Sequence, residues 1–451
     1  MPERHLVPAD RLEAQLADLK PALSPAAART EALRCLYCHD APCVAACPTA
    51  INIPEFIRRI GNGNVVGAAR TILESNILGH SCARVCPVEV LCAGSCVYHL
   101  KEEPPIAIGR LQRFATDHAL AHGLRFHRRA PDTGRRIALI GAGPASLAAA
   151  HELAVRGHHC VLFEGRALPG GLNATGVAPY KLQTDVALEE VEWLLGLGGI
   201  ELRTGVWVGR DLSFAQLERD FDAIFLGVGL GPDSRLALPG EDLPGSHGAV
   251  ALIEQIKNQP GFALAGVERA VVIGGGNTAI DAARELRQLA VPAVTMVYRR
   301  SEAAMTGYAH ELAQAKQEGV QLAFQLVPLA IEGEARVTGL RCARVDAQLV
   351  PLPGGEFVLP ADLVVRATGQ EKLTALLAEV PQLTLEKGRV QVDPRTHQTT
   401  HPRYFAAGDC VNGGKEVVNA VAEGQRAAQG IEAYLASLNG LTGERGDRQH
   451  G

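Results

Sequence analysis

A chain of 451 residues is long enough for two or three domains, each with its own core. Hydrophobic residues at 47% and charged ones at 21% are ordinary for a globular protein, and a formal net charge of −5 gives no reason to expect a nucleic-acid partner. No apolar run reaches the length of a membrane span, and MPERHLVPADRLEAQ lacks a signal peptide's apolar core, so the expectation is a cytoplasmic protein with no membrane contact.

In chain order, residues 1–125 read as helix and loop. EFIRRIGNGNVVGAARTILES (55–75) and IGRLQRFATDHALAH (108–122) have helical apolar spacing. Around them lie eight of the eleven cysteines, between 35 and 96. The first group, Cys35, Cys38, Cys43 and Cys47, is followed by Pro48; the second is Cys82, Cys86, Cys92 and Cys96. Such clustering is not a disulfide framework for a protein of this size and points to metal. Zinc ribbons separate two CxxC pairs by a dozen or more residues, whereas this crowding resembles the bacterial ferredoxin run, in which the fourth cysteine serves a second cluster. The basic run RFHRRAPDTGRR (125–136) reads as a solvated linker.

Beyond the linker, short apolar strands alternate with glycine turns and helices, the pattern of a parallel α/β sheet. One opening occurs twice, at 135–166 and 269–300, each a strand, glycine turn, helix and second strand. In GAGPAS, Gly141 makes the tight turn, Gly143 lets the backbone approach a pyrophosphate, and Pro144, Ala145 and Ser146 open the helix. Glu164 ends the second strand, where a carboxylate can accept hydrogen bonds from a ribose diol. In GGGNTA, Gly274 and Gly276 take the two turn roles, and the following strand ends in Tyr298-Arg299-Arg300. Arginines at that place can cradle a 2′-phosphate, which favours NADPH over NADH, although the next run, SEAAMTGY, offers an acid and no base. DLVVRATGQ (362–370) and YFAAGDC (404–410) are strands running into glycine turns; LTGERGDRQHG (441–451), after Asn439-Gly440, reads as a polar tail.

GAGPAS…FEGR followed by YFAAGDC resembles the flavoproteins with two dinucleotide-binding domains, the first for FAD and an inserted second for NAD(P)H. Past residue 134 there is no CxxC, so a disulfide reductase is not expected. CLYCHDAPCVAACPTAINIPEFI and NILGHSCARVCPVEVLCAGSCVYHLKEEPPIAIGRLQRFATD resemble the N-terminal part of dihydropyrimidine dehydrogenase. The resemblance implies two [4Fe-4S] clusters shared crosswise: one on Cys35, Cys38, Cys43 and Cys96, the other on Cys47, Cys86, Cys92 and Gln112, with Cys82 left over. The spacing alone would instead use all eight cysteines and leave Gln112 as a surface polar group. The resemblance further implies FAD contacts at Gly141, Ala145, Glu164, Gly171, Leu172, Lys181, Val208 and Asp409, the last preceded by Gly408. Lys181 stands where the family has arginine. NAD(P)H contacts are implied at Gly275, Gly276, Asn277, Thr278, Arg299, Arg300 and the turn Ala367-Thr368-Gly369.

The expected architecture is α/β: an all-α iron–sulfur domain (1–125), then an FAD-binding domain (134–232 and 366–440) with an inserted NAD(P)H-binding domain (233–365). The resemblance to the NAD(P)H-oxidising subunit of bacterial dihydropyrimidine dehydrogenase implies hydride transfer to FAD. Single electrons then pass through the clusters to a partner subunit holding FMN and further clusters, in a hetero-oligomer. The full-length enzyme continues into an FMN barrel where this chain stops, so the chain alone is not expected to reduce a pyrimidine. No classical catalytic residue is expected. Alternatives are the small subunit of glutamate synthase, the NADPH-binding subunit of a flavin-bifurcating ferredoxin oxidoreductase, and a redox-sensing scaffold.

Overall fold

Helices Pro25–Leu33, Ile53–Gly61, Val65–Ser75, Gly79–Val85 and Ile108–Ala121 build the cysteine-rich segment of the computed structural model, which describes residues 7–446. The single helical stretch expected over 55–75 is two helices. Gly63 adopts φ +78°, a left-handed conformation that ends the first, and Asn64 Oδ1 accepts the Gly67 N–H at 2.8 Å to start the second. Asn52 caps the first helix in the same way through Glu55 N–H. Phe56, Ile57, Ile72, Leu73, Leu111 and Ala115 are buried in one core with Ile137, Leu147, Phe405 and Ile431. The cysteine-rich segment therefore has no private core; it shares one with the first dinucleotide fold.

That fold is a five-stranded, all-parallel sheet in the order 404–406, 223–226, 136–140, 159–164, 200–204. The helix Pro144–Val155 follows the central strand, and the long helix Val417–Gly446 packs along it. That long helix runs into the stretch read as a polar tail; residues 447–451 lie outside the described residues. A second parallel sheet has the order 246–248, 363–366, 269–273, 293–298, 321–324, again with the glycine-turn strand at its centre. Strands 351–360, 337–345 and 326–333 form an antiparallel sheet beside it in sequence.

Two compact units divide the chain. One holds Gly231–Glu371, residues 7–19 and the segment Ala174–Thr184; the other holds Lys20–Asn173, Asp185–Leu230 and residues 372–446. The boundaries thus differ from those read along the sequence. Burial explains the difference: Leu16, Ala178 and Tyr180 are buried among Leu252, Ile256, Ile280 and Ala283. Polar bonds reinforce it. Arg11 pairs with Glu13 at 2.6 Å, Glu13 accepts from the Thr184 amide, and Lys257 donates to the carbonyls of Val177 and Leu182 at 3.0 and 2.6 Å.

Candidate active site and cluster cavities

At the first glycine turn Gly141 has φ +89°, and a Cβ there would lie 2.5 Å from the Gly227 carbonyl oxygen, so only glycine fits. Gly143 caps the helix Pro144–Val155, whose first amides are left for a phosphate. Gly171 lies against it: a Cβ on Gly171 would come 2.9 Å from the Gly143 Cα, so two loops meet backbone to backbone, with Leu172 next in chain. The Glu164 carboxylate is aimed by the backbone, accepting the Ala142 and Arg166 N–H groups, each at 2.9 Å. Gly408, at φ +76°, brings the turn before Asp409 against Ala145. Burial raises the Asp409 carboxyl above its usual range, against the Lys415 amide.

Two further residues shape this site. Glu423 Oε2 accepts from the Gly408 N–H at 2.9 Å and from Asn412 at 3.0 Å, and so holds the late turn. Gly424 lets its helix touch the start of the phosphate helix, since a Cβ there would meet the Ala145 carbonyl oxygen at 2.2 Å. Their signal in the sequence was the Glu-Gly step of AEGQRAA. Val208 is buried in an apolar cluster with Phe163, Leu217 and Leu377.

The second turn is built alike. Gly274 donates its N–H to Val297 O at 3.0 Å, and Gly276 caps the helix Asn277–Gln288, on which Thr278 is the second residue. The strand Leu363–Arg366 lies beside 269–273, so the Ala367-Thr368-Gly369 turn arrives at the glycines: a Cβ on Gly274 would fall 2.4 Å from Ala367 O. Gly275 packs under the Tyr298 ring, and Asn277 Oδ1 accepts the Tyr308 N–H at 2.8 Å. Arg299 and Arg300 follow Tyr298 and are exposed. Lys181 sits in this same unit, its ammonium 2.7 Å from Asp281 and 2.8 Å from Glu311. Burial works against that charge, but the two carboxylates outweigh it and the pKa rises. Tyr180 adds a 2.7 Å hydrogen bond to Asp281.

The cysteines surround two cavities. The first is lined by Cys35, Cys38, Cys43 and Cys96, with Tyr98 and Ile106; the second by Cys47, Cys82, Cys86, Cys92 and Gln112. Ile53 lines both. Gln112 is not a surface group: it is buried, and its Nε2 donates to Gly79 O at 2.8 Å. That bond fixes the amide through its nitrogen and leaves the amide oxygen out of it. Cys47 Sγ lies 3.4 Å from Thr49 Oγ1.

Burial, with Cys35 and Cys96 nearby, pushes the Cys43 thiol up to about 11; burial likewise raises Cys35 and Cys92. Cys86 is raised by its hydrogen bond with Cys82 and by burial. Thiols grouped in an apolar hollow stay protonated unless a cationic core draws them into thiolate form. Among the described residues no three Cys, His, Asp or Glu side chains converge on a point that would hold a single metal ion. Soft sulfur donors ringing a hollow fit a polynuclear iron–sulfur group better than mononuclear zinc.

The second cavity also depends on Glu190, which no sequence motif marked. From the helix Thr184–Leu195 its carboxylate accepts the His80 N–H at 2.8 Å, the Ser81 N–H and the Ser81 hydroxyl, closing the start of the helix Gly79–Val85. Burial raises the carboxyl to about 7 against the pull of Ser81, both amides and Arg84. The folded chain then holds a proton that the unfolded chain releases above about pH 4.5, so this group's contribution to stability falls from about pH 4.5 to 7, by on the order of 3 kcal/mol. Glu190→Gln is expected to flatten that decline in denaturant melts across this pH range. Glu190→Leu, which leaves two amides unpaired, is expected to cost about 2–5 kcal/mol at every pH.

Residues 12–124 match the family described as dihydropyrimidine dehydrogenase domain II, 4Fe-4S cluster, and residues 135–424 match pyridine nucleotide-disulphide oxidoreductase. The chain belongs to the pyridine nucleotide-disulphide oxidoreductase family. This oxidoreductase is NAD(P)H-dependent and combines a flavin with 4Fe-4S chemistry. It is 36% identical over 456 residues to the glutamate synthase [NADPH] small chain of Halomonas elongata, with 95% of each chain covered. It is also 36% identical over 420 residues to the NAD-dependent dihydropyrimidine dehydrogenase subunit PreT of Escherichia coli K12, covering 93% of this chain and 97% of that one. Among solved structures, FprA of Mycobacterium tuberculosis in complex with NADPH shares the fold, with TM-score 0.56, 22% identity, and 69% and 86% of the two chains covered. No helix among the described residues is long and apolar enough to cross a membrane.

Proposed function

We propose that this oxidoreductase is the electron-input subunit of a pyrimidine-reducing enzyme, oxidising NAD(P)H and delivering electrons to an FMN-containing partner that reduces uracil or thymine. The arrangement of sulfur carries the reading: two cysteine-lined cavities share a core with the first dinucleotide fold, and no cysteine pair stands in CxxC spacing past residue 134. FAD at the first turn supplies an acceptor for a hydride and a donor of single electrons. The chain's residues bind and orient. The amides after Gly143 would face the pyrophosphate and Glu164 the ribose, and the turn held by Glu423 carries Asp409. Cys35, Cys38, Cys43 and Cys96 would hold one cluster; Cys47, Cys86, Cys92 and Gln112 would hold a second. Leu36, which lines the first cavity, is 51% exposed, so that cavity lies just under the surface, where an electron can leave for a partner. The relatives named PreT and formate dehydrogenase subunit beta are themselves subunits, which supports a hetero-oligomer.

Glutamate synthase small chain is the second reading, favoured by the match over 95% of both chains. The two are separated by what the partner does. The purified chain alone is expected to reduce ferricyanide or a tetrazolium dye with NAD(P)H and to leave uracil unchanged. With its co-purified partner, NAD(P)H-dependent loss of uracil supports the proposal. Glutamine-dependent formation of glutamate instead would select the second reading, and uracil reduction by the chain alone would sink the first.

A further inference from the structure

The relatives divide between NADPH and NAD, and the sequence beside the second turn sends a mixed signal: two arginines, then an acid. The structure shows how the acid is disposed of. The loop after the arginines is fastened to the glycine turn, with the Thr306 and Gly307 N–H groups donating to Gly275 O at 3.1 and 3.0 Å. The Tyr298 hydroxyl donates to Ala304 O at 2.8 Å, and the Tyr308 amide bonds Asn277. These bonds hold the short turn Glu302–Ala304 beside the end of the strand Ala293–Tyr298, and a dinucleotide fold reads the ribose at that strand end. A free carboxylate there would accept hydrogen bonds from a ribose diol and repel a 2′-phosphate. It is not free. Lys316, from the helix Ala309–Gln317, donates to Glu302 Oε1 at 2.5 Å. Among the described residues neither the Arg299 nor the Arg300 guanidinium has a hydrogen-bond or ion-pair partner, so the uncompensated charge beside the turn is positive.

We propose that Lys316 is a specificity residue: by neutralising Glu302 it lets Arg299 and Arg300 select the 2′-phosphorylated nucleotide, NADPH, over NADH. Lysine and arginine divide the work by chemistry. The ammonium acts as a compact charge that cancels one carboxylate, while planar guanidinium forks match phosphate oxygens. Because both partners of the Lys316–Glu302 pair are 43% and 48% exposed, water screens it, and its loss shifts selectivity without abolishing binding.

Isothermal titration of the full FAD-containing chain with 2′,5′-ADP and with 5′-AMP tests this without any partner or turnover. It therefore stands or fails separately from the pyrimidine reading. The wild-type chain is expected to bind 2′,5′-ADP about 10- to 100-fold more tightly than 5′-AMP, the range for charge-assisted hydrogen bonds. Lys316→Met is expected to narrow that ratio about two- to fivefold, the scale of an exposed ion pair. Adding Glu302→Gln to Lys316→Met is expected to restore it, which a general loss of structure would not do. Equal binding of the two probes by the wild-type chain, an unchanged ratio in Lys316→Met, or no recovery in the double variant overturns the proposal.

Discussion

Cys96→Ala is expected to remove about half of the bound iron and to abolish the same EPR signal, in dithionite-reduced protein, as Cys35→Ala or Cys38→Ala. Cys96 belongs in sequence to the second cysteine group, yet it lines the cavity of the first, opposite Cys35, Cys38 and Cys43. Cys92→Ala is expected to abolish the other signal. If the Cys96 and Cys92 variants lose one and the same signal, the grouping is wrong. Within the second cavity two candidates compete for the last place, since Cys82 and Gln112 both line it. Gln112 is held by Gly79 O through its nitrogen, which leaves its oxygen for the hollow; Cys82 is tied by a hydrogen bond to Cys86. Gln112→Ala is therefore expected to lose or convert that cluster and Cys82→Ala to keep both. Iron content and EPR of the pair decide it; iron loss in the Cys82 variant alone would reverse the assignment.

Gly141→Val is expected to yield a chain purified without flavin absorbance and without dye reduction by NAD(P)H. Two costs add. A β-branched residue would have to adopt φ +89°, which disfavours it by about 1–2 kcal/mol, and its Cβ would start 2.5 Å from the Gly227 carbonyl oxygen. The backbone must move off that carbonyl, and the turn and the helix start after Gly143 move with it. Binding of 2′,5′-ADP, which uses the other unit, is expected to survive in the variant. Loss of both nucleotides would mean that the chain had failed to fold, and retention of flavin would contradict the placement of the FAD site.

Elements governed by neighbours in the chain were legible from residues alone. The glycine turns at 141 and 274 were visible because a positive φ and a close backbone approach exclude every other residue type, and the alternating apolar runs around them set the parallel sheets. The break at Gly63 was also local, but the surrounding apolar periodicity masked it until Asn64 was seen capping a new helix. The resemblance to dihydropyrimidine dehydrogenase, resting on the cysteine stretches, anticipated the family match over 12–124.

Chain order says which cysteines are present and that they are too crowded for a zinc ribbon. It does not say which cavity each one faces, because Cys47 and Cys96 each turn away from their sequence neighbours through the packing of helices far apart in the chain. The partners of the buried charges belong to the tertiary structure as well. Lys181 meets Asp281 and Glu311, Glu190 closes the helix before Cys82, and Lys316 cancels Glu302. A charge signals its own sign along a sequence, whereas its effect depends on distance and burial, and both are set only when the chain has folded.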